Sequence, residues 1–166
     1  MRTAPDMTAF KVQASNCAIL PAVELIGEKW AFLILRSAFN GLVHFEEFQC
    51  GLGIARNILS NRLSKLVLGG IMTRTPDPED GRKLVYSLTE KGEGLLPVVI
   101  ALRQWGEKWG LGRHQSDLVD RRDGRALQRI SLLSADGREL GMRDLAWAER
   151  AEVQPRAVHN VLASFA

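Results

Sequence analysis

Residues 45–68 read FEEFQCGLGIARNILSNRLSKLVL, and the way this stretch folds decides the architecture. Phe45 to Cys50 makes a small helix with Phe45 and Phe48 on one face, and Gly51-Leu52-Gly53 supplies a tight turn. A second helix is expected from about Ala55 to Leu68, ended by Gly69-Gly70. At about 100° per residue, Ala55, Leu59, Leu63 and Leu66 share one side of it. Asn57, Ser60, Asn61 and Ser64 fall opposite, with Lys65 beside them and Arg56 and Arg62 nearer the boundaries. Such a face suits the major groove: amides make bidentate contacts to adenine, short hydroxyls allow close approach, and basic flanks neutralise phosphates. A merely polar surface helix is the alternative. It would more often carry Glu and Lys at i, i+4 spacing, and this segment has none.

Downstream, Ile71 to Thr75 reads as a strand, 76–81 (PDPEDG) as a concentrated turn, and Lys83 to Leu88 as a half-buried strand with alternating Leu84, Tyr86 and Leu88. Arg82 and Lys83 beyond the tip, and Arg74 on the first strand, are placed to meet sugar-phosphate, although Asp77, Glu79 and Asp80 would repel it. Thr89 then caps a long helix from about Glu90 to Trp109, along which Leu95, Val98, Val99, Leu102, Trp105 and Trp109 recur at helical spacing. Upstream, a helix is expected from Cys17 to Ile26, with Ser15 or Asn16 as cap and Pro21 in its first turn or at a kink. A second runs from Glu28 to Phe39, closed by Asn40-Gly41, and 42–44 is an extended link.

The order helix, helix, link, helix, turn, helix, hairpin, long helix is that of a winged helix-turn-helix: mainly α with small β-hairpins (α+β), its second motif helix entering the major groove. Three regions are expected. Residues 1–14 form a flexible tail, 15–111 the DNA-binding and dimerisation domain, and 112–166 a C-terminal hairpin-containing extension. The extension holds strands from Arg125 to Leu132 and Glu139 to Leu145 around Ala135-Asp136-Gly137, and a last helix from about Pro155 to Ser164.

With 166 residues, 46% hydrophobic and 25% charged, the chain suits one ordinary core plus a small appendage. The longest nearly apolar stretch, Trp30 to Leu35, is far too short for a bilayer, and the first ten residues carry no apolar leader core. Two cysteines, Cys17 and Cys50, fit a reducing compartment, so a cytoplasmic chain without membrane contact is expected. Net charge is only +3, but no Asp or Glu occurs from Phe48 to Pro76, where Arg56, Arg62, Lys65 and Arg74 all lie. A one-signed patch of that kind attracts polyanions. An enzyme would have to use a cysteine with His44, His114 or His159, yet no motif gathers them, and phosphate loops, GxSxG and metal-ligand clusters are missing from the sequence. No catalytic residue, cofactor or metal is therefore expected. The rival to a DNA reader is a winged helix used only for protein contacts, which would not need an acid-free stretch.

These residues also resemble a known family. Glu24-Leu25-Ile26-Gly27-Glu28-Lys29-Trp30 with Leu33-Ile34-Leu35-Arg36, Leu59-Ser60-Asn61-Arg62-Leu63, Tyr86-Ser87-Leu88-Thr89-Glu90-Lys91-Gly92 and Trp105-Gly106-Glu107-Lys108-Trp109 look like the signature of HxlR-type transcriptional regulators over about 16–110. The resemblance implies a homodimer on a two-fold-related DNA operator, paired through the first and the long helices, and usually repression. It departs at Ala18, where Pro is usual, and at Ala55-Arg56, where Ser-Pro is usual; Asn57 and Asn61 stand where Lys and Gln are commoner. The 112–166 tail resembles an appended zinc-ribbon-type module whose cysteines have gone, Asp123-Gly124 and 135–137 occupying their turns. Without them, Leu127, Ile130, Leu132, Leu140 and Trp147 would hold the hairpin.

The resemblance also offers two triggers. The cysteine matching Cys17 serves relatives as a redox sensor, which requires a partly exposed thiolate such as a helix N-terminus favours; a small buried core residue is the alternative. Otherwise a small aromatic or apolar effector could bind among Trp30, Phe32, Phe39, Trp105 and Trp109, although aromatics so spaced are commonly plain core. Cys50 reads as structural.

Overall fold

The computed structural model describes residues 17–112 and 117–146. The chain divides into two compact units, Met1–Arg103 and Gln104–Ala166. The predicted tail at 1–14, the caps Ser15 and Asn16, Trp147 and the helix at 155–164 lie outside the described residues.

The first unit opens with α1 (Ile19–Ile26) and α2 (Lys29–Phe39). Pro21 lies in the first turn of α1, where its missing N–H costs nothing. Next come α3 (Phe45–Leu52) and α4 (Arg56–Leu68). Gly53 between them sits at φ +59°, a left-handed residue that a side chain would strain, and it turns the chain sharply into α4. Leu59, Leu63 and Leu66 of α4 are buried with Ala31, Ile34 and Leu35 of α2 and Phe48 of α3, and Ile26, Ile54, Ile71, Met72 and Tyr86 complete the core. Truncating one of these leucines to alanine is worth about 2–5 kcal/mol, so the leucine row fixes which side of α4 faces outward.

β1 (Met72–Pro76) and β2 (Leu84–Leu88) pair antiparallel, Met72 opposite Leu88 and Arg74 opposite Tyr86. The extended link joins this ribbon: the Tyr86 N–H donates to the Val43 carbonyl at 2.8 Å, and His44 bridges Val85.

The long helix is not continuous. A four-residue turn, α5 (Glu90–Glu93), is followed by α6 (Leu96–Lys108). Pro97 explains the break, because it has no N–H to return to the residue 93 carbonyl and its ring disfavours helical backbone just before it. The Thr89 cap is present, its Oγ1 accepting from the Gly92 N–H at 3.1 Å. That hydroxyl also donates to the Gly70 carbonyl at 2.7 Å, and the Lys91 ammonium donates to the Gly69 carbonyl at 2.8 Å. Gly92 closes the joint: a Cβ there would stand 2.2 Å from the Ile71 oxygen. The end of α4 is thus tied to the start of α5.

In the second unit the predicted strands shrink to β3 (Leu132–Leu133) and β4 (Glu139–Leu140), followed by a 3-10 turn at Met142–Asp144. Ser134, Asp136 and Arg138 build the intervening turn, the Ser134 hydroxyl on Asp136 holding that carboxyl below the usual range. The expectation that apolar side chains hold this hairpin needs correction. Among the described residues of that set, Leu127, Ile130 and Leu132 are exposed and Leu140 is half-buried. Polar anchorage is present instead: Gln104 on α6 accepts from the Ile130 N–H at 2.8 Å and donates to the Gln128 carbonyl at 3.1 Å. Among the described residues no helix is long and apolar enough to cross a membrane.

Candidate nucleic-acid interface

The leucine row of α4 packs inward, and Asn57, Ser60, Asn61 and Ser64 all emerge exposed on the other side. Lys65 is exposed beside them. Arg56 opens the helix, its guanidinium 4.8 Å from the centroid of the Phe45 ring, so stacking holds the charge in place at the helix start. The motif's first helix is set by Glu47, whose carboxylate accepts from the backbone N–H groups of Val43 (2.8 Å) and His44 (2.9 Å). Those two donors keep its carboxyl below the ordinary range.

Arg62, at the boundary of that face, has a partner within the chain. Its guanidinium forks onto both carboxylate oxygens of Glu28, at the N-cap position of α2, and the side chain is only 19% exposed. The reason lies in the helix geometry: position 62 is about 60° from Leu59 around α4, so its stem starts on the core flank. Lys65 lies 3.7 Å from the same carboxylate.

The hairpin tip also differs from a bare acidic loop. Asp77 accepts from the Glu79 and Asp80 N–H groups at 2.7 and 3.2 Å, and those bonds, the Glu79 one foremost, hold its carboxyl below the usual range. Its other oxygen lies 3.4 Å from His44 Nε2. Asp80 accepts from the Arg82 N–H and Nε at 3.2 and 3.1 Å, and lies 3.9 Å from the Lys83 ammonium. Two of the three acids therefore build the turn, and Glu79 remains at its exposed rim. Arg82 keeps a 92% exposed side chain, while Arg74 and Lys83 are exposed too.

The five aromatics expected to line a pocket do not share one compact unit. Trp30, Phe32 and Phe39 are half-buried against the core of the first, while Trp105 and Trp109, in the second, are exposed. Cys17 is half-buried just ahead of α1. Cys50, expected to be structural, is exposed instead, and it lines a shallow depression with Glu46, Gln49, Gly53 and Ile54 beside the motif's turn. Among the described residues no group of three His, Cys, Asp or Glu is placed to hold a metal ion. Sequence reasoning missed Glu28 and Lys91, because nothing local announces a partner that lies 34 or 22 residues away.

The uncharacterised HTH-type transcriptional regulator Rv3095 of Mycobacterium tuberculosis is 43% identical over 88 residues, 53% of this chain and 56% of that one. The chain thus spans little more than half the length of this curated relative. The crystal structure of PA1607, a candidate transcription factor, superposes with a TM-score of 0.75 at 38% identity, covering 82% of this chain and 96% of that one. The redox regulator HypR in its oxidised form gives 0.51 at 30% identity over 59% of this chain and 99% of its own. The HxlR-like helix-turn-helix family model matches residues 25–114, and with the winged helix-turn-helix laid out as above, the chain belongs to that family.

Proposed function

We propose that the protein is a homodimeric transcriptional regulator that binds double-stranded operator DNA and represses by occupying it. One observation carries this reading: the exposed row Asn57, Ser60, Asn61 and Ser64 stands back to back with the buried row Leu59, Leu63 and Leu66. The amides and hydroxyls read base edges, while Arg56, Lys65, Arg74, Arg82 and Lys83 contact phosphates. Homodimer pairing is supported by α6, none of whose residues is fully buried among the described residues; Leu96, Val98, Leu102 and Trp105 are exposed along it and Trp109 just past its end.

The test is fluorescence anisotropy with duplexes from the DNA flanking the protein's own gene and with shuffled duplexes of equal length. A preference for the native sequence and an affinity that falls linearly with log salt are expected. Salt-indifferent binding of both duplexes would sink the reading and favour a protein-contact module. A promoter–reporter assay gives the sign of regulation, with derepression expected on deletion.

For the trigger we propose thiol oxidation at Cys17, supported by its half-buried place beside α1 and by the likeness to redox-regulating HypR. A Cys17→Ser variant should hold DNA under oxidant while the wild type releases it. Equal release would return attention to a small aromatic or apolar effector.

A further inference from the structure

We propose that Glu28 stands in for a DNA phosphate toward α4 and so holds down sequence-independent DNA affinity; the inference rests on the DNA-binding reading above. Glu28 occupies the N-cap position of α2, yet its side chain caps nothing there. It turns instead to α4, where each carboxylate oxygen meets one terminal nitrogen of Arg62 and Lys65 approaches to 3.7 Å. A guanidinium fork on two oxygens is the geometry arginine uses toward a phosphodiester.

Two features make the pairing more than a loose surface contact. The Arg62 side chain is largely buried, so its pairing is less screened than an exposed one. Its Nε is buried without a hydrogen-bond partner, so the guanidinium meets its counter-charge through the two terminal nitrogens of the fork. One carboxylate thus serves two of the four bases in the acid-free stretch 48–76, and that stretch offers DNA about one cation fewer than its sequence advertises. A phosphate that recruits Arg62 must first displace Glu28. Attraction to any duplex is lowered by that amount, while the reading row, which Glu28 does not touch, keeps its base contacts.

The experiment measures the slope of log affinity against log salt for a random-sequence duplex, using the full-length chain. Glu28→Gln should steepen the slope by about 0.9, the signature of one further phosphate, and raise affinity roughly five- to tenfold near 100 mM salt. Glu93→Gln removes the same charge at an exposed position of α5 and should leave the slope at its wild-type value. Glu28→Ser, a favoured cap residue too short to reach Arg62, repeats the measurement if the glutamine variant fails to fold. An unchanged slope on removing Glu28, or equal steepening in Glu93→Gln, would overturn the assignment and leave DNA binding intact. Salt-indifferent binding by the wild type would overturn both.

Discussion

Asn57 and Asn61 lie one turn apart on the exposed side of α4, and both were placed there by the heptad-like spacing of leucines alone. Asn61→Ala is expected to lower discrimination at one base pair by about 1–3 kcal/mol while leaving random-DNA affinity unchanged, read by competition with single-base operator variants. Glu47 gives a prediction in pH. Its carboxyl is depressed by the Val43 and His44 N–H groups, so the stability it contributes is present above the unfolded value, about 4.3, and is lost as pH falls through the folded one. Glu47→Gln keeps a capping acceptor and loses the charge, so near neutrality it should cost on the order of 0.3–1 kcal/mol, the size of a charge at an exposed helix N-terminus. Urea melts of the two proteins should converge in acid. Arg62 shows where reading by residue type stops: the sequence tells its angle around the helix, but not that Glu28 waits at that angle.

At the scale of elements, helix existence followed from periodicity, whereas breaks and short strands did not. The stripe Leu95 to Trp109 begins only at the interruption at 94–95, and 90–93 carries no apolar residue, so periodicity said nothing of a break; Pro97, well inside a helix expected from Glu90, was its signal. The extension misled for a different reason. The turn at 135–137 suggested two longer strands held by apolar side chains, but each strand is two residues long and Gln104 anchors the Ile130 N–H. The wing was legible as a hairpin, while the use of its acids as turn scaffolding was not. Arg82→Ala should weaken native and shuffled duplexes alike and flatten the salt slope by no more than about 0.9, because the Asp80 contact already offsets part of its charge. A sequence-selective loss would mean that the hairpin reads bases.

For the whole molecule, the exposed apolar side of α6, with Leu102 and Trp105, is the surface that the proposed pairing would cover. Leu102→Asp is expected to yield monomers in sedimentation velocity and to reduce operator affinity at least tenfold, because a single half-site loses the second contact. An unaltered sedimentation coefficient would move the pairing surface elsewhere. The joint that Thr89, Lys91 and Gly92 make with the end of α4, together with the leucine row beneath, leaves the amides and hydroxyls as decoration on an otherwise finished frame. Such a layout uncouples foldability from preference: drift at positions 57, 60, 61 and 64 can redirect the protein to a new promoter with little thermodynamic penalty. Duplicated copies would then diverge in target long before they diverge in shape.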